Sequence, residues 1–220
     1  MKRATKRAAL LLIPAALIIG LPACSHRQTA PALQTVMVPP LIDLKQHETI
    51  GVVEFRCSSD GKLGPLATRR FTEWARRDQG LVRIVDLGPR AKAVRSVGRD
   101  QWGPETFKAI GEQRGVSTLL IGELKVSDVR PDVKILASLG SGQVSAQVDA
   151  TLEVQLIETA TGASLWNASA SGTKNVGNIS VFSGRRFAFD AADPENAYGG
   201  LVDALVEQTT RDFRVSWERH

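Results

Sequence analysis

The stretch whose reading decides the fold is Val144-Ser145-Ala146-Gln147-Val148-Asp149-Ala150-Thr151-Leu152-Glu153-Val154-Gln155-Leu156. Every even position is apolar and every odd position polar. Successive side chains of a strand point to opposite faces, so this period of two predicts a long strand with one buried and one wet face. Thr161-Gly162 follows as a tight turn, and Ala163 to Gly172 returns through Trp166 as the partner strand. Turns this short join antiparallel neighbours.

Working outward, Val133, Ile135, Ala137 and Leu139 also alternate, and Gly140-Ser141-Gly142 breaks that run as a turn would. Downstream, Asp193-Pro194 suits the cap and first position of a helix, with Tyr198, Leu201, Val202, Leu205, Thr209 and Phe213 as its buried stripe. The first half has a different rhythm. Ile50 to Phe55 and Ser117 to Val126 are apolar runs of strand type, and Leu81 to Asp86 reads as a third strand. Between the first and third lies a helix with Ala67, Phe71, Trp74 and Ala75 on one face and Arg70, Glu73 and Arg77 paired along another. Gly80 ends it. The basic stretch from Gly88 to Gly103 is a loop or a frayed helical piece. Pro104 then opens a helix with Phe107, Ile110 and Gly111 on one face. Strands alternating with helices, then hairpins, predict an α/β fold. The expectation is a single-domain α/β sandwich with a mixed sheet, antiparallel hairpins in the second half and a C-terminal helix.

The N-terminus carries a different message. Lys2, Arg3, Lys6 and Arg7 precede an apolar run from Ala8 to Gly20, then Leu21-Pro22-Ala23-Cys24. A basic segment, a short apolar segment and a small residue make a secretory signal, and the run is shorter than the roughly 20 residues a spanning helix needs. Leu21 to Cys24 resembles the lipobox of bacterial lipoproteins, with Pro22 a less usual occupant. That resemblance implies cleavage before Cys24 and a lipid anchor there, with a diacylglycerol on its thiol and fatty acyl chains such as palmitate in the anchor. An ordinary cleaved signal with an incidental Cys24 is the alternative. Ser25 stands where an aspartate would resemble an inner-membrane retention signal, so the expected location is the outer membrane, with the domain facing the periplasm. The expected divisions are 1–23 signal peptide, 24–48 flexible tether and 49–220 folded domain. Pro31, Pro39 and Pro40 and the lack of periodicity support the tether. The other reading of this segment is that Val36 to Leu44 packs on the domain as a strand or strap.

Four of the 28 basic residues precede Cys24 and none of the 23 acidic ones does, leaving 24 against 23 in the remainder. Nucleic acid would need a concentrated basic face, and this near balance does not supply one. With Cys24 lipidated, Cys57 has no partner for an intramolecular disulfide. It is a reactive thiol, an intermolecular bridge or a small buried hydrophobe.

Candidate chemistry is sparse. His26, His47 and His220 have no metal-binding spacing, and no cysteine pair supplies thiolates, so neither metal nor cofactor is expected. Ser171-Gly172-Thr173-Lys174 matches Ser-x-x-Lys, which would make Ser171 a nucleophile and Lys174 its base. The companion motifs of penicillin-binding proteins are absent. The segment from Val176 to Asp190 sets Phe182, Phe187 and Phe189 beside Arg185 and Arg186. Phenylalanines in such a loop either tuck under the domain or meet a partner, which makes Phe182, Arg185, Arg186 and Phe187 candidate contacts.

Ile50 to Phe55, Thr118 to Leu124, and above all Leu152 to Trp166 together resemble a known family. A strand, Thr161-Gly162, then a strand carrying Trp166 is similar to the periplasmic domains of curli-secretion-channel (CsgG)-like lipoproteins. The penicillin-binding-protein activator lipoprotein LpoB and the N-terminus of TolB have similar domains. The resemblance implies a tethered α/β domain without enzyme activity that binds an envelope-assembly partner. It also implies an alternative, an oligomeric outer-membrane secretion channel walled by two hairpins, here Val133 to Val148 and Ala168 to Phe189. A serine hydrolase using Ser171 and Lys174 is a distant third.

Overall fold

The computed structural model describes residues 35–58, 62–127, 130–131, 146–176 and 194–219. Along the chain these form β1 (Thr35–Val38), β2 (Thr49–Val53), β3 (Arg56–Cys57), α1 (Leu63–Gln79), β4 (Arg83–Gly88), α2 (Arg90–Ser96) and α3 (Pro104–Arg114). Then follow β5 (Thr118–Val126), β6 (Arg130–Pro131), β7 (Ala146–Glu158), β8 (Ser164–Val176), α4 (Pro194–Thr209) and β9 (Ser216–Arg219). Short 3-10 turns cover Leu44–Gln46 and Arg211–Phe213.

The main sheet has the order β4-β2-β5-β7-β8. β3 continues the line of β2 against β5, and β6 continues the line of β5 against β7. β2 is parallel to both β4 and β5, whereas β7 is antiparallel to both its neighbours, β5 and β8. This is the mixed sheet that the sequence rhythm predicts. β7 keeps its period: Val148, Ala150, Leu152, Val154 and Leu156 are all buried, while Gln147 and Gln155 are exposed. Ile157, on the odd face, packs into the opposite core, and the register irregularity beside it leaves Leu165 of β8 without a Cα partner on β7.

Two cores sandwich the sheet. Ala67, Phe71 and Ala75 of α1 and Leu201, Val202, Leu205 and Val206 of α4 cover one face, against Val52, Leu120 and the even positions of β7. Phe107 and Ile110 of α3 and Ala93 of α2 cover part of the other, with Leu119 and Ile157. A fully buried Val or Leu side chain contributes about 1.5–3 kcal/mol, so these faces dominate stability. Gly122 allows the Phe55 ring to lie directly on β5, since a Cβ there would stand 2.7 Å from the ring.

Several expectations shift in detail. β4 begins at Arg83 rather than Leu81, and the partner of β7 runs to Val176 rather than Gly172. The basic stretch after Gly88 contains a real helix, α2. Arg70 pairs with Glu73 at 3.3 Å, but Arg77 instead lies over the Trp74 ring at 3.6 Å and pairs with Asp78. Among the described residues β1 pairs with β9 and Leu44 is buried in the main core, which is the strand-or-strap reading of Val36 to Leu44. The alternating run at 133–139 lies outside the described residues.

Candidate interaction surface

The hairpin motif is built into both layers. Gly162 takes φ 75°, the left-handed region that favours glycine, and a Cβ there would meet Pro104 Cβ at 2.9 Å. The turn is closed by Gly162 N–H donating to Glu158 O at 2.9 Å and Glu158 N–H donating to Ala163 O at 2.9 Å. Thr161 Oγ1 donates to the Glu158 carboxylate at 2.5 Å. The Thr161-Gly162 pair therefore seats the turn on α3.

Trp166 works at the opposite face. Its ring packs on Phe213 with centroids 4.8 Å apart, and Phe213 continues edge-on to Phe71 at 5.8 Å. Trp166 Nε1 donates to Asp212 Oδ2 at 2.9 Å. Asp212 and Phe213 belong to the 3-10 turn from which the chain leaves for β9, so Trp166 fixes where β9 starts.

Gln79 completes this end and was not singled out by sequence. It is buried at the last position of α1. Its Nε2 donates to Ile42 O at 3.0 Å and to Phe213 O, while its Oε1 accepts from Leu44 N–H at 2.9 Å. Ile42 N–H in turn donates to Asp212 O at 3.1 Å. The signal was available: Phe71, Ala75 and Gln79 stand at i, i+4 and i+8, so a polar residue continues the buried stripe and needs buried partners. Beside it, Arg214 pairs with Asp78 at 2.6 Å and lies over Trp74 at 4.4 Å.

These contacts hold up a two-stranded ribbon. β1 and β9 pair antiparallel, with Met37 opposite Trp217 and Val36 opposite Glu218. Met37 and Trp217 therefore share one ribbon face.

Ser171 and Lys174 do not meet. Three residues apart on β8, they project from opposite faces. Ser171 Oγ is hydrogen-bonded to Thr151 Oγ1 at 2.8 Å on the polar face of the hairpin. Lys174 lies over α4, where a Cβ on Gly200 would collide with its Nζ. A general base has to reach the nucleophile within about 3 Å, directly or through one water, and this geometry denies it. A groove of about 450 Å³ beside α1 is lined by Glu54, Thr68, Arg69, Glu73 and Asp86, but Arg69 is engaged with Glu195 at 2.6 Å. Among the described residues, no group of three His, Cys, Asp or Glu stands together to hold a metal ion. No described helix is long and apolar enough to cross a membrane, which leaves strands out of account. Cys57 is half-buried against the main core. Cys24, Phe182, Arg185, Arg186 and Phe187 lie outside the described residues.

The chain matches no protein-family model and no curated protein. Among solved structures it is similar to a PelC dodecamer from Paraburkholderia phytofirmans, at 14% identity and TM-score 0.39 over 83% of this chain and 99% of that one. It is similar to lipoprotein GNA1162 from Neisseria meningitidis, at 18% and 0.36 over 58% and 83%. The C-terminal domain of LpoB from Escherichia coli is similar at 15% and 0.38, over 58% and 84%. At these identities and TM-scores the likeness carries no inference about partner or assembly.

Proposed function

We propose that this chain is a lipoprotein anchored through Cys24 to the outer membrane, whose domain faces the periplasm and binds an envelope-assembly protein without catalysing a reaction. The observation that carries the reading is the N-terminal order of cations, short apolar run and Leu21-Pro22-Ala23-Cys24, with the described domain present by Thr35, eleven positions after Cys24. A lipid on Cys24 then holds the domain within about 40 Å of the bilayer, the reach of eleven extended residues. The separation of Ser171 from Lys174 speaks for binding over hydrolysis. The partner contact is assigned to Phe182, Arg185, Arg186 and Phe187, between β8 and α4.

The two hairpins that the channel reading needs, Val133 to Val148 and Ala168 to Phe189, lie largely outside the described residues, and the described β7–β8 hairpin is a different one. β7 and β8 place Asp149, Thr151, Glu153 and Ser171 on one face and lie under α4 on the other, so neither face suits lipid.

The test is metabolic labelling with a clickable fatty acid, comparing the wild-type chain with Cys24→Ser. Label and membrane fractionation that both vanish in the variant support the anchor, and equal label in both overturns it. Photo-crosslinking from positions 182 and 187 should capture one discrete protein. A crosslinked ladder of this chain alone, with a many-subunit mass by light scattering, would replace the partner reading by the channel.

A further inference from the structure

Seven large hydrophobic side chains are exposed among the described residues, and five of them lie on the β1–β9 ribbon or on the segments that adjoin it. Val36 and Met37 are on β1, Trp217 on β9, and Leu41 and Val215 on the segments that adjoin these strands. A sixth, Leu81, is fully exposed just beyond Gln79, the residue that bridges both stems of the ribbon. A patch of this kind is rarely left bare in a protein that works alone in water.

We propose that this ribbon end is a lipid-contacting face, in which Trp217 and Met37 enter the interface of the bilayer that holds the lipid of Cys24. The proposal rests on the anchoring reading above and adds a second, non-covalent contact to it.

Three observations favour lipid as the occupant. The first is chain geometry. β1 is the first described element, and the eleven residues from Cys24 to Thr35 reach at most about 40 Å even fully extended, so the ribbon is the described part of the domain that lies fewest residues from the anchor. The second is chemistry. Trp217 is 65% exposed and Met37 55% exposed, and as Cα partners they present a joint apolar face. Tryptophan, with an apolar ring and one N–H donor, favours the headgroup level of a bilayer over either bulk phase. The third is the arrangement of charge. Glu218 pairs with Val36 and so belongs to the other ribbon face, which leaves the Met37–Trp217 face without that carboxylate. Leu81, from the loop after α1, adds a contact away from the ribbon, so the domain would rest on more than one point.

The test uses the full lipidated chain reconstituted in phosphatidylethanolamine–phosphatidylglycerol vesicles, with and without a doxyl-labelled phospholipid as quencher. The Trp217 signal is the difference between wild type and W217F. The expected result is that the lipid-phase quencher lowers that difference signal by about half, as for a ring at the headgroup level. Joint replacement M37S/L81S should weaken the quenching while leaving the circular dichroism spectrum unchanged. If the chain floats with the vesicles but the lipid quencher leaves Trp217 untouched, the docking face is overturned and the anchor stands. If the chain does not float, the anchor reading fails and this proposal falls with it. Shielding of Trp217 from both lipid quencher and aqueous iodide also overturns it, with analytical sedimentation then separating a second copy of the chain from another protein.

Discussion

Gln79 Nε2 donates to Phe213 O at 2.5 Å, across 134 positions of sequence, while its Oε1 accepts from Leu44 N–H. One buried amide thus ties the chain before and after the ribbon to the end of α1. Replacing it with an isosteric apolar residue leaves the Leu44 N–H and the Ile42 and Phe213 carbonyls short of partners. Gln79→Leu should destabilise the domain by about 2–4 kcal/mol. Denaturant unfolding measures the loss. Amide exchange should speed first at Met37 and Trp217, and unchanged protection there would refute this role.

Trp166 and Asp212 form the second tie. Trp166→Phe removes the Nε1 donor and some packing on Phe213. It should cost about 1–3 kcal/mol. A double-mutant cycle with Asp212→Ala isolates the pair, and a coupling near zero would show that the ring packing alone matters.

Gly162 is constrained twice, by its φ of 75° and by Pro104. Gly162→Ala should therefore destabilise by about 1–3 kcal/mol, whereas alanine at a compatible glycine would stabilise. Thermal unfolding distinguishes the two signs.

Burial pushes the His47 imidazole below its ordinary 6.5, and the carboxylates of Asp43 and Glu158 pull it part of the way back. The unfolded chain then takes up the proton before the native one does. His47 contributes stability that is complete above 6.5 and is lost as pH falls through the lowered native value. Between about pH 7.5 and about pH 5 the wild type should lose more stability than His47→Gln. Equal losses in denaturant titrations would mean that the segment carrying His47 is not held against the domain.

Legibility in the sequence followed the range of the interactions. β7 declares itself because burial on one face imposes a local period of two. α1 and α4 declare themselves in the same way at a period of 3.6. β1 does so only as one of two readings of its segment, being four residues whose partner lies at the far end of the chain. β4 was misplaced by two residues because Leu81 is apolar yet fully exposed: Gly80, at φ 71°, turns the chain outward before pairing with β2 begins at Arg83. The motif residues Thr161, Gly162 and Trp166 were legible as a turn and a buried ring. Their contacts with Pro104 and Asp212 were not, because those depend on layers that only the folded sheet brings together.

The pairing of Met37 with Trp217 has a consequence for how the domain is completed. The two residues stand 180 positions apart, so their ladder closes a ring around every other described strand. The entropic penalty of so long a loop is modest, since each doubling of length adds only about 0.6 kcal/mol. Its timing is not negotiable. A chain delivered from its N-terminus has released β2, β4, β5, β7 and β8 before β9 emerges, and β1 has nothing to pair with until then. The ribbon is the last clasp to shut and, as a short exposed ladder, among the first to open. A closed ribbon therefore reports that the domain has been finished.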